Sequence, residues 1–426
     1  MKISCDYNKM LDVVNSRFKV REEAEEYYKK RITDVSPLNI DGKEVSAYSY
    51  TDYKLENRQY FFSSFKCIQI GEHVALDEDD YMVVVGKTIN YCVFDKCKFQ
   101  NIRFVKCNFT GCRFLNVNFY NTTFESCFFS QPYIGEKNRT VENIPYILTS
   151  FEKCIFLAKF SNCNLEYGYL KKCSMTLTKF LNCDMTALNM DTCALTGVEI
   201  KDCNMTDTQI YKADIMDISI TDDKCTKVNE ETFFDYMVYT KKINDGKLVR
   251  TESGWKADNY DDMVLDKSKT LRRISNLFDK NGYSAIAGEY FYQSKKLENK
   301  VLYRAKKIIS TGALVLCGYG ERPLFTMISI IVSIMIFAVL YLVTGFSVDG
   351  MEIGWKQIVE AGTDIAQIIK YYGHSVFFSV TTFSTVGYGN YVPVGEISSF
   401  LAAIQMLVGV SLSALWTGCV FKKVAR

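Results

Sequence analysis

Thr385-Val386-Gly387-Tyr388-Gly389 is the stretch of this sequence whose residue types and spacing point most directly to chemistry. A cation that sheds its water needs a ring of oxygens, and backbone carbonyls supply one only where successive peptides turn the same way. Such a backbone demands φ > 0 at alternate positions, which glycine adopts without steric cost. Gly387 and Gly389 stand at alternate positions. The Thr385 hydroxyl adds an oxygen at one end, while Val386 and Tyr388 turn their side chains outward as wedges. A glycine-rich turn would spell the same residues, so the flanking sequence has to decide.

Two uncharged runs flank the motif. One covers 26 residues from Pro323 to Val348, the other 25 residues from Ile397 to Phe421. Each exceeds the ~20 apolar residues that a bilayer-spanning helix requires. Between them, Gly373 to Ser384 reads as a short re-entrant helix leading into the motif, since irregular backbone at membrane depth is tolerated where it lines a water-filled path. The expectation for residues 311–426 is therefore a span at 323–348, a pore helix at 373–384, a filter at 385–389 and a span at 397–421. This arrangement resembles the pore module of two-transmembrane potassium channels, and the five-residue motif is itself the known sequence of their selectivity filters. Thr382-x-x-Thr385-x-Gly387-Tyr388-Gly389 fits that family's longer signature, and Pro393 follows at a familiar distance.

The resemblance implies that the carbonyls of Thr385, Val386, Gly387, Tyr388 and Gly389, with the Thr385 hydroxyl, coordinate K+. Thr382, Asn390, Phe377 and Phe378 are the candidates for filter support. One filter strand per chain implies a homotetramer, because four copies are needed to close each oxygen ring. K+ is then the permeant ion, and neither a cofactor nor a resident metal is expected. The family usually carries aspartate directly after the last filter glycine, where this sequence has Asn390. An amide still hydrogen-bonds but removes one negative charge per subunit from the ion entrance. A weakly selective cation channel is the alternative that follows, and a membrane-anchored scaffold with a vestigial pore is a third.

Gly409 lies twenty residues beyond Gly389, where similar channels carry a glycine at which the helix bends. Trp416 is seven residues further, two helical turns, on the same face. If that face lines the pore, the tryptophans form an apolar constriction that blocks ions by dewetting. The other readings are close helix packing at Gly409 and an interfacial anchor at Trp416. Arg304, Lys306, Lys307 and Arg322 precede the first span, and Lys422, Lys423 and Arg426 follow the second. The intervening segment carries Asp349, Glu352, Glu360, Asp364 and Glu396 against Lys356 and Lys370. The positive-inside rule thus expects both termini in the cytoplasm, in the plasma membrane, with an acidic outer rim that concentrates cations. Neither span carries basic residues at every third position, so voltage sensing by charged helices is not expected. With Arg426 five residues past Phe421, control is expected to enter through the linker and the first span.

The composition alone hides all this, since a net charge of +2 and a mean hydropathy of −0.05 read as a soluble protein. Met1 to Lys30 is heavily charged and holds no apolar leader. Phenylalanine then recurs every fifth residue at Phe94, Phe99, Phe104, Phe109, Phe114, Phe119, Phe124 and Phe129, and large apolar residues resume that step from Phe160 to Ile220. Neither the helix period of 3.6 nor the strand period of 2 gives five; a fixed short repeat means stacked identical units. Two residues before many centres stands cysteine. The pattern resembles the pentapeptide-repeat family, which implies a right-handed quadrilateral β-helix with four repeats per coil, the centre and the small residue inward. The 21 repeat centres within residues 89–222 then make roughly five coils rising about 4.8 Å each. Residues 131–150 read as an inserted loop, and a one-residue slip falls near Cys154 to Phe156.

Ten of the sixteen cysteines occupy the small inward position, where a free thiol packs as a small hydrophobe. A cytoplasmic setting keeps thiols reduced, and His73 and His374 are the only histidines available to a mixed metal site. A redox role for Cys5, Cys67, Cys225, Cys317 or Cys419 has no support in the sequence. Residues 89–222 hold 14 basic and 14 acidic side chains, so neither DNA mimicry nor nucleic-acid binding is expected. A scaffold, or a sensor for an unknown cytoplasmic ligand or protein partner, fits better. Residues 223–310 read as a connector and helical linker: Ser268 to Lys280 ended by Asn281-Gly282, then Ser284 to about Ile309 ended by Thr311-Gly312. Gly318-Tyr319-Gly320-Glu321-Arg322-Pro323 follows at the membrane edge. Residues 1–88 form a module of unclear fold with a charged helical stretch near Arg21 to Arg31 and a strand at Met82 to Val85. No nucleophile–base pair, P-loop or metal-ligand spacing points to an enzyme. The expected fold is multidomain: β-helix, helical linker and two-span α-helical pore module.

Overall fold

A computed structural model describes residues 6–29, 50–55, 59–61, 63–74, 77–130, 148–221, 226–236, 240–242, 248–250, 260–360 and 365–424. The chain divides into two compact units, Met1–Leu297 and Glu298–Arg426. The first is built on a coil of short parallel strands. Two long ladders run up opposite faces; one passes through Lys98–Val105, Asn118–Glu125, Ile155–Ser161 and Lys179–Leu181, the other through Val93–Asp95, Arg113–Leu115, Ser150–Glu152 and Tyr169–Lys171. Single parallel bridges such as Asn108 to Phe128 carry a third face, and others such as Ser174 to Ala194 continue the fourth, which the lower strands of the first ladder turn a corner to cover. Each coil consumes four five-residue repeats, so a centre meets its counterpart one coil on. Phe94 stacks on Phe114 at 5.0 Å between ring centroids, Phe99 on Phe119 at 5.1 Å, and Phe104 on Phe124 at 5.3 Å. That separation is close to the strand spacing of the ladder itself.

The repeat also fixes the corners. Lys96, Asn101, Lys106, Asn116, Asn121 and Ser126, each two residues past a centre, have φ between 45° and 53°. Asn and Lys take this turn here as readily as Gly111 does. The register slip is a missing corner: Tyr120 pairs with Leu157 and Thr122 with Ala158, leaving Asn121 without a counterpart. Of the inserted loop, residues 131–147 lie outside the described residues, as do Cys5 and Cys225. The ladder reaches beyond 89–222 at both ends. Ser64–Lys66 and Ile68–Gly71 pair beneath it, and Phe233–Tyr236 pairs above it. Much of what reads as a separate module at 1–88 therefore continues the coil. Helix α1 (Tyr7–Lys29) lays Met10 and Val14 on Leu148, Tyr169 and Tyr211 of its flank.

The inward cysteines are core, as their position implies. Their thiols also point at the carbonyls of the coil below: Cys127 Sγ donates to Phe104 O at 3.3 Å, Cys163 to Phe124 O at 3.3 Å, and Cys173 to Phe151 O at 3.3 Å. Threonine serves the same position, as Thr178 does toward Phe156 O. Burial pushes the Cys97 thiol up to about 12 and raises Cys173 and Cys193 as well. The thiolate is the reactive form. Alkylating reagent on native protein should therefore leave Cys97, Cys173 and Cys193 unmodified even at about pH 9, where an ordinary exposed thiol reacts, with denaturant exposing them together. Prompt labelling of Cys97 or Cys173 in native protein would show that the coil breathes there.

Helices α2 (Tyr260–Lys280) and α3 (Ser284–Val301) form a hairpin turned at Gly282, whose φ is 84°. Leu271, Ile274, Leu277, Phe278, Ala287 and Tyr290 join the apolar core of the coil. The part of the linker within this unit is thus an end cap of the β-helix. The sequence places a helix end at Thr311-Gly312, but the break comes earlier. Tyr303 is extended, Arg304 has φ 45°, and α4 (Arg304–Cys317) runs through Gly312 to a left-handed cap at Gly318.

In the second unit, α5 (Pro323–Thr344) opens with proline in its first turn and stops at Gly345, φ 96°. A short helix, α6 (Trp355–Glu360), lies in the segment between the two apolar helices. Helix α7 (Ile365–Phe383) starts eight residues before the expected 373, since Gly373 sits in its interior without breaking it. Helix α8 (Gly395–Val424) outruns the uncharged stretch 397–421 at both ends. The 22 residues of α5 span about 33 Å at 1.5 Å per residue, the thickness of a hydrocarbon core. Both α5 and α8 are long and apolar enough to cross a membrane, and both leave most of their apolar surface uncovered in the single chain. The stretch 346–348, expected inside the first span, instead forms a strand paired with Met351–Ile353 and Tyr391–Pro393.

Candidate functional site

The loop that follows α7 has the backbone its glycines require. Thr385, Gly387 and Gly389 all lie in left-handed conformation, with φ of 56°, 54° and 87°. Alternation thus starts one step earlier than the glycines reveal, at a threonine. The Val386 and Gly387 amides both turn back to Thr381 O, at 3.0 and 3.5 Å, and Thr385 N donates to Thr382 O at 3.1 Å. These bonds direct the loop amides into the end of α7. Thr385 Oγ1 donates to Ser384 O at 2.7 Å, which leaves its lone pairs open to an ion.

The side chains named from sequence separate into two groups. Phe377 stacks on Tyr388, 6.2 Å between centroids and 14° between planes, and also packs on Tyr391 at 5.0 Å. It supports the outer half of the loop directly. Phe378 points the other way, onto Tyr341 at 4.5 Å and Phe346 at 5.7 Å, and anchors α7 to α5. Thr382 is buried beneath the loop. Asn390 offers its carbonyl to Asp349 N at 3.0 Å, tying the outer end of the loop to the outer hairpin, while its side chain is exposed. His374 on α7 shares a 2.8 Å hydrogen bond with the Tyr391 hydroxyl. Seventeen residues separate the two in the chain, so their pairing is not legible in the sequence.

Gly409 is buried, and a Cβ there would overlap Phe383 O and approach its carbonyl carbon to 3.0 Å. The glycine therefore serves close approach of α8 to the last turn of α7. Trp416, two turns along the same face, is 40% exposed in the single chain. At the opposite end, the segment that leads into the first span also contacts the second. Gly318, Tyr319 and Gly320 form a left-handed elbow with φ of 53°, 57° and 81°. Next to it, the Glu321 carboxylate, 8% exposed, pairs with Lys422 at the end of α8. The elbow is thus held to the second span as well as leading into the first.

Two family models match the chain. Residues 330–426 match one described as ion channel, and residues 92–131 match pentapeptide repeats in eight copies. Among solved structures, the coil is similar to HetL, a pentapeptide repeat protein involved in heterocyst differentiation regulation from the cyanobacterium Nostoc sp. strain PCC 7120. That match has 12% identity, 47% of this chain and 84% of that chain covered, and a TM-score of 0.19. It is similar also to trypsin-treated QnrB1, a plasmid-mediated fluoroquinolone resistance protein, with 9% identity, 41% and 92% covered, and a TM-score of 0.17. At these scores neither structure carries an argument about this chain. With the two apolar helices, the family matches support a membrane-embedded ion channel that carries a pentapeptide-repeat β-helix domain.

Proposed function

We propose that this chain is the pore-forming subunit of a potassium-selective channel. The observation that carries it is the alternating left-handed backbone at Thr385, Gly387 and Gly389, directly after helix α7 and between the two apolar helices. A homotetramer closes four such loops into stacked oxygen rings that replace the hydration shell of K+. Both termini lie in the cytoplasm of a plasma-membrane protein, by the excess of Lys and Arg beside the inner ends of α5 and α8. The β-helix then faces the cytoplasm and modulates the pore for a ligand or protein partner of unknown chemistry. The connection through Glu321 and Lys422 supports that modulation, because it lets a movement of the elbow act on the second span.

Asn390 supports a second reading, a weakly selective cation channel, because its exposed amide leaves the outer mouth with less negative charge. Purified protein in planar bilayers under opposed potassium and sodium gradients separates the readings. A reversal potential near the potassium equilibrium value is expected. A value near zero favours the weakly selective pore, and absence of current favours a membrane-anchored scaffold.

A further inference from the structure

We propose that Gln405 is a positioning residue for ion selection, holding the last turns of α7, and through them the filter, against the second span. This rests on the filter reading above. An amide within a membrane span is costly unless partnered, and glutamine there joins helices by hydrogen bonds across them. Gln405 is fully buried. Its Oε1 accepts from the Tyr341 hydroxyl at 2.7 Å. Its Nε2 donates to Ser379 O at 3.1 Å and to Ser379 Oγ at 2.6 Å. Ser379 Oγ in turn donates to Ile334 O at 2.8 Å. A carbonyl only accepts, so Ser379 O fixes which end of the amide faces α7. The chain of bonds therefore crosses α5, α8 and α7 in a defined direction.

A second contact lies one turn along both helices. Gly409 is four residues after Gln405, Phe383 is four after Ser379, and Gly409 meets the Phe383 backbone. Equal spacing makes the two contacts a two-point clamp. Thr385, the first filter residue, comes two residues after Phe383. The clamp thus holds α7 next to the point where the loop leaves it. A shift of α8 at this depth would displace Thr381 O and Thr382 O, which receive the filter amides.

The test uses the full-length protein in bilayers, with Gln405→Leu, Gln405→Glu, Ser379→Ala and Tyr341→Phe. Loss of a buried hydrogen bond of this kind should lower the potassium-over-sodium permeability ratio by about tenfold in Gln405→Leu, with assembly unchanged. Gln405→Glu should recover part of the ratio, since a protonated carboxyl donates one bond and accepts one. High potassium should ease the Gln405→Leu defect, because a bound ion stabilises the conducting filter by mass action; a purely structural role would not respond to the ion. If Gln405→Leu does not assemble, Tyr341→Phe and Ser379→Ala are read in the same way, with non-additive effects in the double variant expected. A potassium-selective wild type with unchanged ratios in the variants overturns this inference alone. A wild type without potassium selectivity overturns the filter reading and this inference with it.

Discussion

Gly389→Ala channels should lose potassium selectivity or carry no current, while still assembling. The φ of 87° at Gly389 lies beyond the left-handed basin that other residues visit, whereas Gly387 at 54° lies inside it. A left-handed alanine costs about 1–2 kcal/mol, and four copies in one ring make roughly 4–8 kcal/mol on that basis. Gly387→Ala should follow the same direction with a smaller effect, because its φ is one that other residues adopt. Within the single chain, where no atom stands within 4 Å of a Cβ at either position, the cost is in backbone conformation. Bi-ionic reversal potentials check this, alongside chromatography of the assembled protein. Unchanged selectivity in Gly389→Ala would remove the filter assignment. Asn390→Asp offers a counterpart: it restores outer charge and should raise single-channel conductance.

Gly409→Ala is expected to damage the filter and not merely stiffen a hinge. The added carbon would overlap a backbone oxygen at Phe383, which cannot move aside as a flexible side chain would. Overpacking of this kind typically costs about 1–3 kcal/mol, and the helix that must yield is the one that carries the filter. We expect altered selectivity or lost current in Gly409→Ala. Trp416→Ala should behave differently, raising resting open probability with selectivity intact, because Trp416 stands two turns below the clamp. Single-channel recording distinguishes the two. Normal selectivity in Gly409→Ala would show that α7 tolerates displacement at Phe383. A closed state as tight as wild type in Trp416→Ala would place the constriction elsewhere.

The coil was legible because its signal repeats: one phenylalanine means little, whereas eight at a constant step leave a single stacking solution. The corners were less legible. Leu177, Ala187 and Thr192 hold left-handed backbone as Asn101 does, so the conformation there is imposed by the ladder and not by residue preference. Thr385 is the same case at the filter. Gln405 left a trace that could have been followed, since it is the one amide in an uncharged run of 25. Its partners could not be read, because Tyr341 and Ser379 meet it only once three helices pack. The false stop at Gly312 has a similar cause. Two glycines competed for one cap, and only Gly318 is placed where its amide reaches Ala313 O and Leu314 O.

The α2–α3 hairpin has a consequence for solubility. A parallel coil ends in a rim of peptide groups that would template another chain. Here side chains of the hairpin occupy that rim. Arg273 donates to Ile218 O, Asn281 donates to Thr226 O and accepts from Val228 N, and the Tyr290 hydroxyl both donates to and accepts from Phe234. Cutting the chain between the coil and α2 would therefore do more than detach a sensor. It would bare a polymerisable edge on one fragment and the apolar face of Leu271, Ile274, Leu277 and Phe278 on the other. A division near Leu297, past the hairpin residues that close the rim, keeps that edge covered.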